Sequence, residues 1–307
     1  MLIAPILLLA AALSPPVGHP DEVLRSRHLV VAPAESLLVT TVGVGSDIVL
    51  IPGMLGGAFT WRHIANELAG RGHRVTVIEL LGMGMSSRPK TADYSLEAQA
   101  TRLLVAFDSL GIASAVVAAH SIAGSVTMRA ALRAPQRFAA IVAVECGTDE
   151  RAAGASVGRA LTLAPLIKLL GTARILKGKI RAGLRGASGD SSWVSDSILA
   201  GYLAGPLANP GATLESLKAM SRANEPQLLV PRLASLSMPV TLLLGDARHE
   251  ATVPADAIVA MQHAIPDFTI HRIAGAGHYL QEERPTDVVN AILARTATLA
   301  HAGDHEE

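Results

Sequence analysis

The sequence predicts an α/β protein in which a mostly parallel central sheet is covered by helices on both faces. Three observations predict it: apolar runs of strand length recur along the chain, segments with helical periodicity separate them, and glycine-rich loops follow several of the runs. With 307 residues and 50% hydrophobic content, the chain can bury a large core. Lys and Arg, 26 in all, balance 26 Asp and Glu, and aromatics make up only 3%. Neither the charge nor the stacking groups of a nucleic-acid binder are supplied. The single cysteine, Cys146, cannot close a disulfide within the chain.

Residues 2–13 are almost wholly apolar and run into Ser14, Pro15 and Pro16, like the hydrophobic region of a secretory signal and too short to span a bilayer as a helix. Residues 1–24 are therefore set apart as a signal or anchor segment. The protein is expected to be exported or periplasmic, with any membrane contact confined to that segment. The lack of Lys or Arg ahead of the apolar run supports the alternative, a cytoplasmic protein.

Strands are expected over residues 28–32, 37–42 and 47–51, with a turn at 43–46. The third runs into Pro52-Gly53-Met54-Leu55-Gly56-Gly57, a loop able to expose backbone N–H groups, and then into a helix over 59–69. A fourth strand, 73–80, leads through the tight loop 81–87 to a helix over 96–110, whose Leu103, Leu104, Phe107 and Leu110 fall on one face. Ala115 to Ala119 reads as a buried strand and the residues beyond Ser121 as a helix ending before Pro135, which puts Ser121 on the turn between them. There the first helical N–H groups point toward any negative charge that forms beside the hydroxyl. An all-apolar strand over 138–144 ends in Glu145.

Residues 147–227 break the rhythm and read as a helical insertion. Arg174, Lys177, Arg181 and Arg185 recur there at helical spacing, opposed by Leu176, Ile180 and Leu184, the pattern of a solvated face. Trp193 and Tyr202 are candidates for a substrate wall or for the insertion's own core. Strands over 239–244 and 268–273 resume the alternation, and a helix over 286–297 closes it, leaving a polar tail at 301–307. His278 follows Gly275 and Gly277 after the last strand, where it can swing over the edge that holds Ser121 and take its proton. The pair His249-Glu250 lacks the second histidine of H-E-x-x-H, and His301 and His305 lie in the tail, so neither metal nor cofactor is expected.

Four segments carry a family resemblance: Ile51-Pro52-Gly53-Met54, Gly82-Met83-Gly84-Met85-Ser86, Ala119-His120-Ser121-Ile122-Ala123-Gly124, and Gly277-His278-Tyr279-Leu280-Gln281-Glu282-Glu283-Arg284-Pro285. Together they resemble the α/β-hydrolase superfamily, most closely its capped branch of esterases, epoxide hydrolases and haloalkane dehalogenases. That resemblance implies the α/β-hydrolase fold, with its core in residues 25–146 and 228–300 and a helical cap at 147–227. It implies Ser121 as nucleophile, His278 as base, and the N–H groups of Met54 and Ile122 as an oxyanion hole. The acid is Glu145, Glu250 or, less well matched, Asp246. Two departures stand out: Pro52 precedes the loop glycine where many relatives have histidine, and Ala119 and Ala123 replace the glycines that flank the nucleophile in G-x-S-x-G. A serine in place of the aspartate of dehalogenases and epoxide hydrolases implies a serine hydrolase of carboxylic esters, and the Leu and Ala content of the insertion suggests an apolar acyl pocket for a small-molecule ester. C–C bond or amide hydrolysis on the same residues, and a non-catalytic binder of the same fold, remain the alternatives. Cys146 reads as packing, with a second nucleophile left open.

Overall fold

The computed structural model describes residues 25–151 and 173–303. The expectations for residues 1–24 and 304–307 lie outside the described residues, as does part of the insertion. Eight strands form one sheet: β1 Arg25–Ala32, β2 Glu35–Val42, β3 Ser46–Ile51, β4 His73–Ile78, β5 Ala115–His120, β6 Phe138–Val144, β7 Val240–Gly245 and β8 Phe268–Ile273. Their order is β1-β2-β4-β3-β5-β6-β7-β8. The β1/β2 and β2/β4 pairs are antiparallel, and every pair from β4 to β8 is parallel. β5 therefore lies inside the sheet with all six residues buried. Its side chains alternate between two cores: Ala115, Val117 and Ala119 face one, Val116 and Ala118 the other.

Helices α1 Arg62–Gly70 and α9 Pro285–Gly303 cover one face. On the other lie α2 Leu96–Leu110, α3 Ile122–Arg133 and α7 Ala255–Ala264. The start of α2 is fixed by Ser95, whose hydroxyl accepts from the Ala98 N–H, and its end by Gly111 at φ 64°. The remaining helix of the core is the single turn α8 Leu280–Glu283.

Two boundaries differ from the sequence pattern for a visible reason. The helix expected from residue 59 begins as a 3-10 turn, Gly57–Trp61, before α1. The strand expected to reach residue 80 stops at Ile78, because the Glu79 carboxylate turns inward and accepts the N–H groups of Ala58, at 2.6 Å, and Met85, at 2.5 Å. Glu79 thereby fastens the loop after β3 to the loop after β4. The last helix runs on to Gly303, so the expected tail is shorter.

Between β6 and β7 the described residues carry no strand. They form α4 Ala173–Gly186, α5 Asp196–Ala208 and α6 Pro210–Arg222, while residues 152–172 lie outside the described set. In α4 Leu184 is buried and Lys177 and Arg185 are exposed. Arg181 pairs with Asp196. The side chains of Arg174 and Leu176 are outside the described set. The roots of this insertion are tied to α3 by the fully buried Arg129, which meets Glu150 at one root, Glu225 at the other, and Glu97 of α2. No described helix is long and apolar enough to cross a membrane.

Candidate active site

Ser121 leaves β5 in a conformation that side-chain-bearing residues rarely adopt, φ 56° and ψ −130°. Such a residue costs on the order of 1–3 kcal/mol and persists only where its surroundings fix it. Here the Ser121 N–H donates to the Val144 carbonyl at 2.9 Å, and the Ser121 carbonyl accepts from Gly124 at 2.9 Å. α3 begins on the next residue, so the Ile122 N–H has no helical carbonyl a turn behind it.

The flanking alanines find a simple account. Ala119 pairs across the sheet with Ala143 and Ile51, and both Ala119 and Ala123 are fully buried without forcing the turn open. Cβ-free positions are needed one residue further on and in the neighbouring loop. A Cβ on Gly124 would come within 2.4 Å of the Cys146 sulfur. One on Gly53 would meet His120 Nδ1 at 2.8 Å and the Ser121 Cβ at 3.3 Å. The loop after β3 thus presses directly on the serine turn, with Met54 next in the chain. Cys146 is packing: it is buried, its thiol is pushed well up by burial, and it donates to the Ala119 carbonyl at 3.1 Å.

His278 arrives after β8 and is fixed from two sides. Its N–H donates to the Ala187 carbonyl of the insertion at 2.8 Å, and its own carbonyl accepts from His120 Nε2 at 2.9 Å. That bond puts the His120 proton on Nε2. Burial, and then the neighbouring His278, lowers the His120 pKa to about 3, so this ring stays neutral.

The carboxylate brought to His278 belongs to Glu145. Its backbone turns back at φ 50°, its side chain is 1% exposed, and Oε1 accepts the Gly245 N–H at 2.5 Å. Oε2 lies 3.7 Å from His278 Nδ1, a contact a little too long for a hydrogen bond, as is common before substrate binds. Burial raises the Glu145 carboxyl to about 7 against the pull of the Gly245 hydrogen bond and His249. Burial likewise lowers His278 to about 4, with His249 adding to it.

The other two candidate acids are placed elsewhere. Glu250 is exposed and lies against Gly186 of α4, its N–H bonded to the Gly186 carbonyl at 2.9 Å. Asp246 is exposed and caps the Gly275 N–H at 2.7 Å. The loop after β7 does send one side chain inward, and it is His249, whose Nε2 lies 3.8 Å from the same Glu145 oxygen. Sequence reasoning saw this residue only as half of an incomplete zinc motif. Among the described residues, no group of three or more His, Cys, Asp or Glu is placed to hold a metal ion.

Aromatic rings cluster beside His278. Tyr279 stands edge-on to His278 at 5.3 Å and meets Trp193 at 5.3 Å, while Tyr202 packs on Phe59, Trp193 and Tyr279. Tyr202 is fully buried and donates to Glu282, which Arg62 grips with two hydrogen bonds. Trp193 and Tyr202 therefore belong both to the insertion's core and to the wall beside His278.

Comparison with known proteins places the fold. The profile of the alpha/beta hydrolase family matches residues 48–292. The chain belongs to that family. This alpha/beta hydrolase is 29% identical over 265 residues to RutD of Azorhizobium caulinodans, provisionally named a carbamate hydrolase, covering 82% of this chain and 91% of that one. It is 23% identical to the hydrolase YugF of Bacillus subtilis, over 78% of this chain and 85% of the relative. Among solved structures it superposes on Cfl2 from Burkholderia cenocepacia with TM-score 0.74 and 22% identity, over 90% of this chain and 97% of that one. For the meta-cleavage product hydrolase of Pseudomonas fluorescens, the figures are TM-score 0.71, 18% identity, and 90% and 98% coverage. At such identities the structural likeness is one of fold. The hydrolase thus has its serine turn and Glu145 at the carboxyl ends of the adjacent parallel strands β5 and β6, and His278 beyond the carboxyl end of β8, on the side of the sheet where this architecture places its ligands.

Proposed function

We propose that this alpha/beta hydrolase is a serine hydrolase that cleaves carboxylic esters through an acyl-enzyme. The observation that carries the reading is that a strained serine, bonded through its N–H to the residue before Glu145, stands next to His120, whose ring packs at 4.7 Å on the His278 ring, and that His278 Nδ1 faces the buried Glu145 carboxylate. Ser121 Oγ attacks the ester carbonyl while His278 Nε2 takes its proton. Glu145 stabilises the imidazolium through Nδ1. The N–H groups of Met54 and Ile122 receive the negative charge on the carbonyl oxygen, which is typically worth ~3 kcal/mol of barrier per donor. His278 returns the proton to the departing alcohol, and water then releases the acid by the same route. The ring cluster of Phe59, Trp193, Tyr202 and Tyr279 supports an apolar substrate.

A fluorophosphonate probe tests this directly. Labelling is expected in the wild type and absent in Ser121→Ala; a wild type that stays unlabelled, or a variant that still labels, removes the serine mechanism. An ester panel should be extended to carbamates, because of the name given to the relative from Azorhizobium caulinodans. Faster turnover of carbamates than of matched esters would replace the ester reading.

A further inference from the structure

We propose that His249 is a positioning residue that shares the Glu145 carboxylate with His278 and sets the pH at which the pair becomes competent. The inference rests on the assignment of Glu145 and His278 made above. His249 comes from the loop after β7, its side chain is 1% exposed, and its Nε2 lies 3.8 Å from Glu145 Oε2. The His278 Nδ1 approaches that oxygen at 3.7 Å, and the two imidazole centroids are 6.2 Å apart.

Three buried polar atoms here have no hydrogen-bond partner: Glu145 Oε2, His278 Nδ1 and His249 Nδ1. Buried polar atoms without partners are costly, so the cluster gains by a contraction that pairs Glu145 Oε2 and His278 Nδ1; His249 Nδ1, on the far side of its ring from the contact, is not satisfied by it. A carboxylate oxygen has two lone pairs, enough for an N–H from each imidazole, while Oε1 is already held by Gly245. A contraction of about 1 Å would bring both contacts to hydrogen-bond length. One carboxylate oxygen that accepts from both imidazoles holds the two rings in a fixed relation, His249 through Nε2 and His278 through Nδ1. His249 then keeps the carboxylate ionised in a setting that otherwise favours its acid form. The other groups acting on Glu145 are Arg272, which favours its charge, and Glu283, which opposes it. Those acting on the His278 ring are His249, the neighbouring His120 and the backbone of Ala251.

The test compares wild type, His249→Leu and His249→Gln, whose amide nitrogen can still donate near the position of Nε2. Two readouts are needed: kcat/KM for an activated ester against pH, and the titration of the His278 ring by NMR of histidine-labelled protein. His249→Leu is expected to move the acidic limb up by about one pH unit and to lower the plateau of kcat/KM by about tenfold with KM little changed, while His249→Gln recovers most of both. An unshifted limb in His249→Leu, or a His249→Gln as impaired as His249→Leu, overturns the proposal. If the wild type hydrolyses no ester, the ester reading falls by itself. The His278 titration still decides, because identical curves in wild type and His249→Leu would leave His249 without this role.

Discussion

Ser121 and Glu145 leave adjacent parallel strands through the same unusual backbone turn, at φ 56° and 50°, and the Ser121 N–H is bonded to the carbonyl of Val144, the residue just before Glu145. Outside this pair, Ala34 is the one other non-glycine residue with positive φ among those described. The strain is thus concentrated where a hydroxyl and a carboxylate must stand clear of the sheet.

The first prediction concerns pH. The proposed mechanism needs Glu145 ionised and His278 neutral. Burial holds Glu145 near 7 and His278 near 4, so His278 is already neutral where Glu145 begins to ionise. Activity is expected to rise with pH through about 7 and to follow the carboxylate. Glu145→Gln should lose several orders of magnitude in kcat together with this limb. A limb that persists unchanged in the residual activity of Glu145→Gln would assign it to another group.

The same residue predicts a trade of stability for function. A carboxyl raised from its usual 4.5 to about 7 binds its proton more tightly in the folded state, so its contribution to stability falls as pH rises from about 4.5 through 7. The difference is on the order of 3 kcal/mol once the group is ionised. Glu145→Gln should therefore melt several degrees above wild type at pH about 8 and gain little at pH about 4. Equal melting temperatures at both pH values would contradict this.

The inner strands β3, β5, β6 and β7 could be read from the sequence because buried parallel strands are continuous apolar runs, and Ser121 and His278 could be singled out because one stands at the end of such a run and the other in the glycine-rich loop that follows β8. The acid could not. Which carboxylate reaches His278 depends on the backward turn at Glu145 and on Glu250 being drawn out toward Gly186, neither of which has a local signature. His249 was hidden for the same reason: only the folded loop reveals that it points inward. Glu79 ended its strand early through bonds to residues distant in sequence, which periodicity does not record.

Gly124 should tolerate no side chain. Its added Cβ would strike both the sulfur and the Cβ of Cys146, at 2.4 and 2.5 Å. Gly124→Ala is expected to cost ~1–3 kcal/mol and to lower Tm by several degrees. Adding Cys146→Gly should recover most of the loss, whereas Cys146→Ala, which keeps the clashing Cβ, should not. Thermal melts of the four proteins decide it.

Arg129 offers a test of the insertion's attachment. Its guanidinium is fully buried, and Glu97 and Glu225 beside it are 4% and 2% exposed. Arg129→Leu leaves Glu225 with only the N–H groups of Leu96 and Glu97, while Glu97 keeps Arg133 and Arg232, and should cost ~3 kcal/mol, read as a lower midpoint in urea. A midpoint within experimental error of wild type would show that the network holds nothing in place.

Trp193 should act on substrate fit. Its ring stacks against Tyr202 and Tyr279 while its Nε1 donates to Ser188 at 3.1 Å. Trp193→Ala is expected to raise KM for bulky apolar esters by about tenfold and to alter kcat less. Steady-state kinetics across an acyl-chain series would show it, and a purely kcat-based loss would count against a wall role.

The Glu79 carboxylate has a consequence for the charge that forms during reaction. It accepts the N–H groups of Ala58 and Met85, so the loop that presses on the serine turn at Gly53 is anchored a few residues further on. In the proposed mechanism, dipoles held in this way need not rotate when an oxyanion arrives. The reorganisation that water would have to undergo at each turnover is carried out once, when the chain folds.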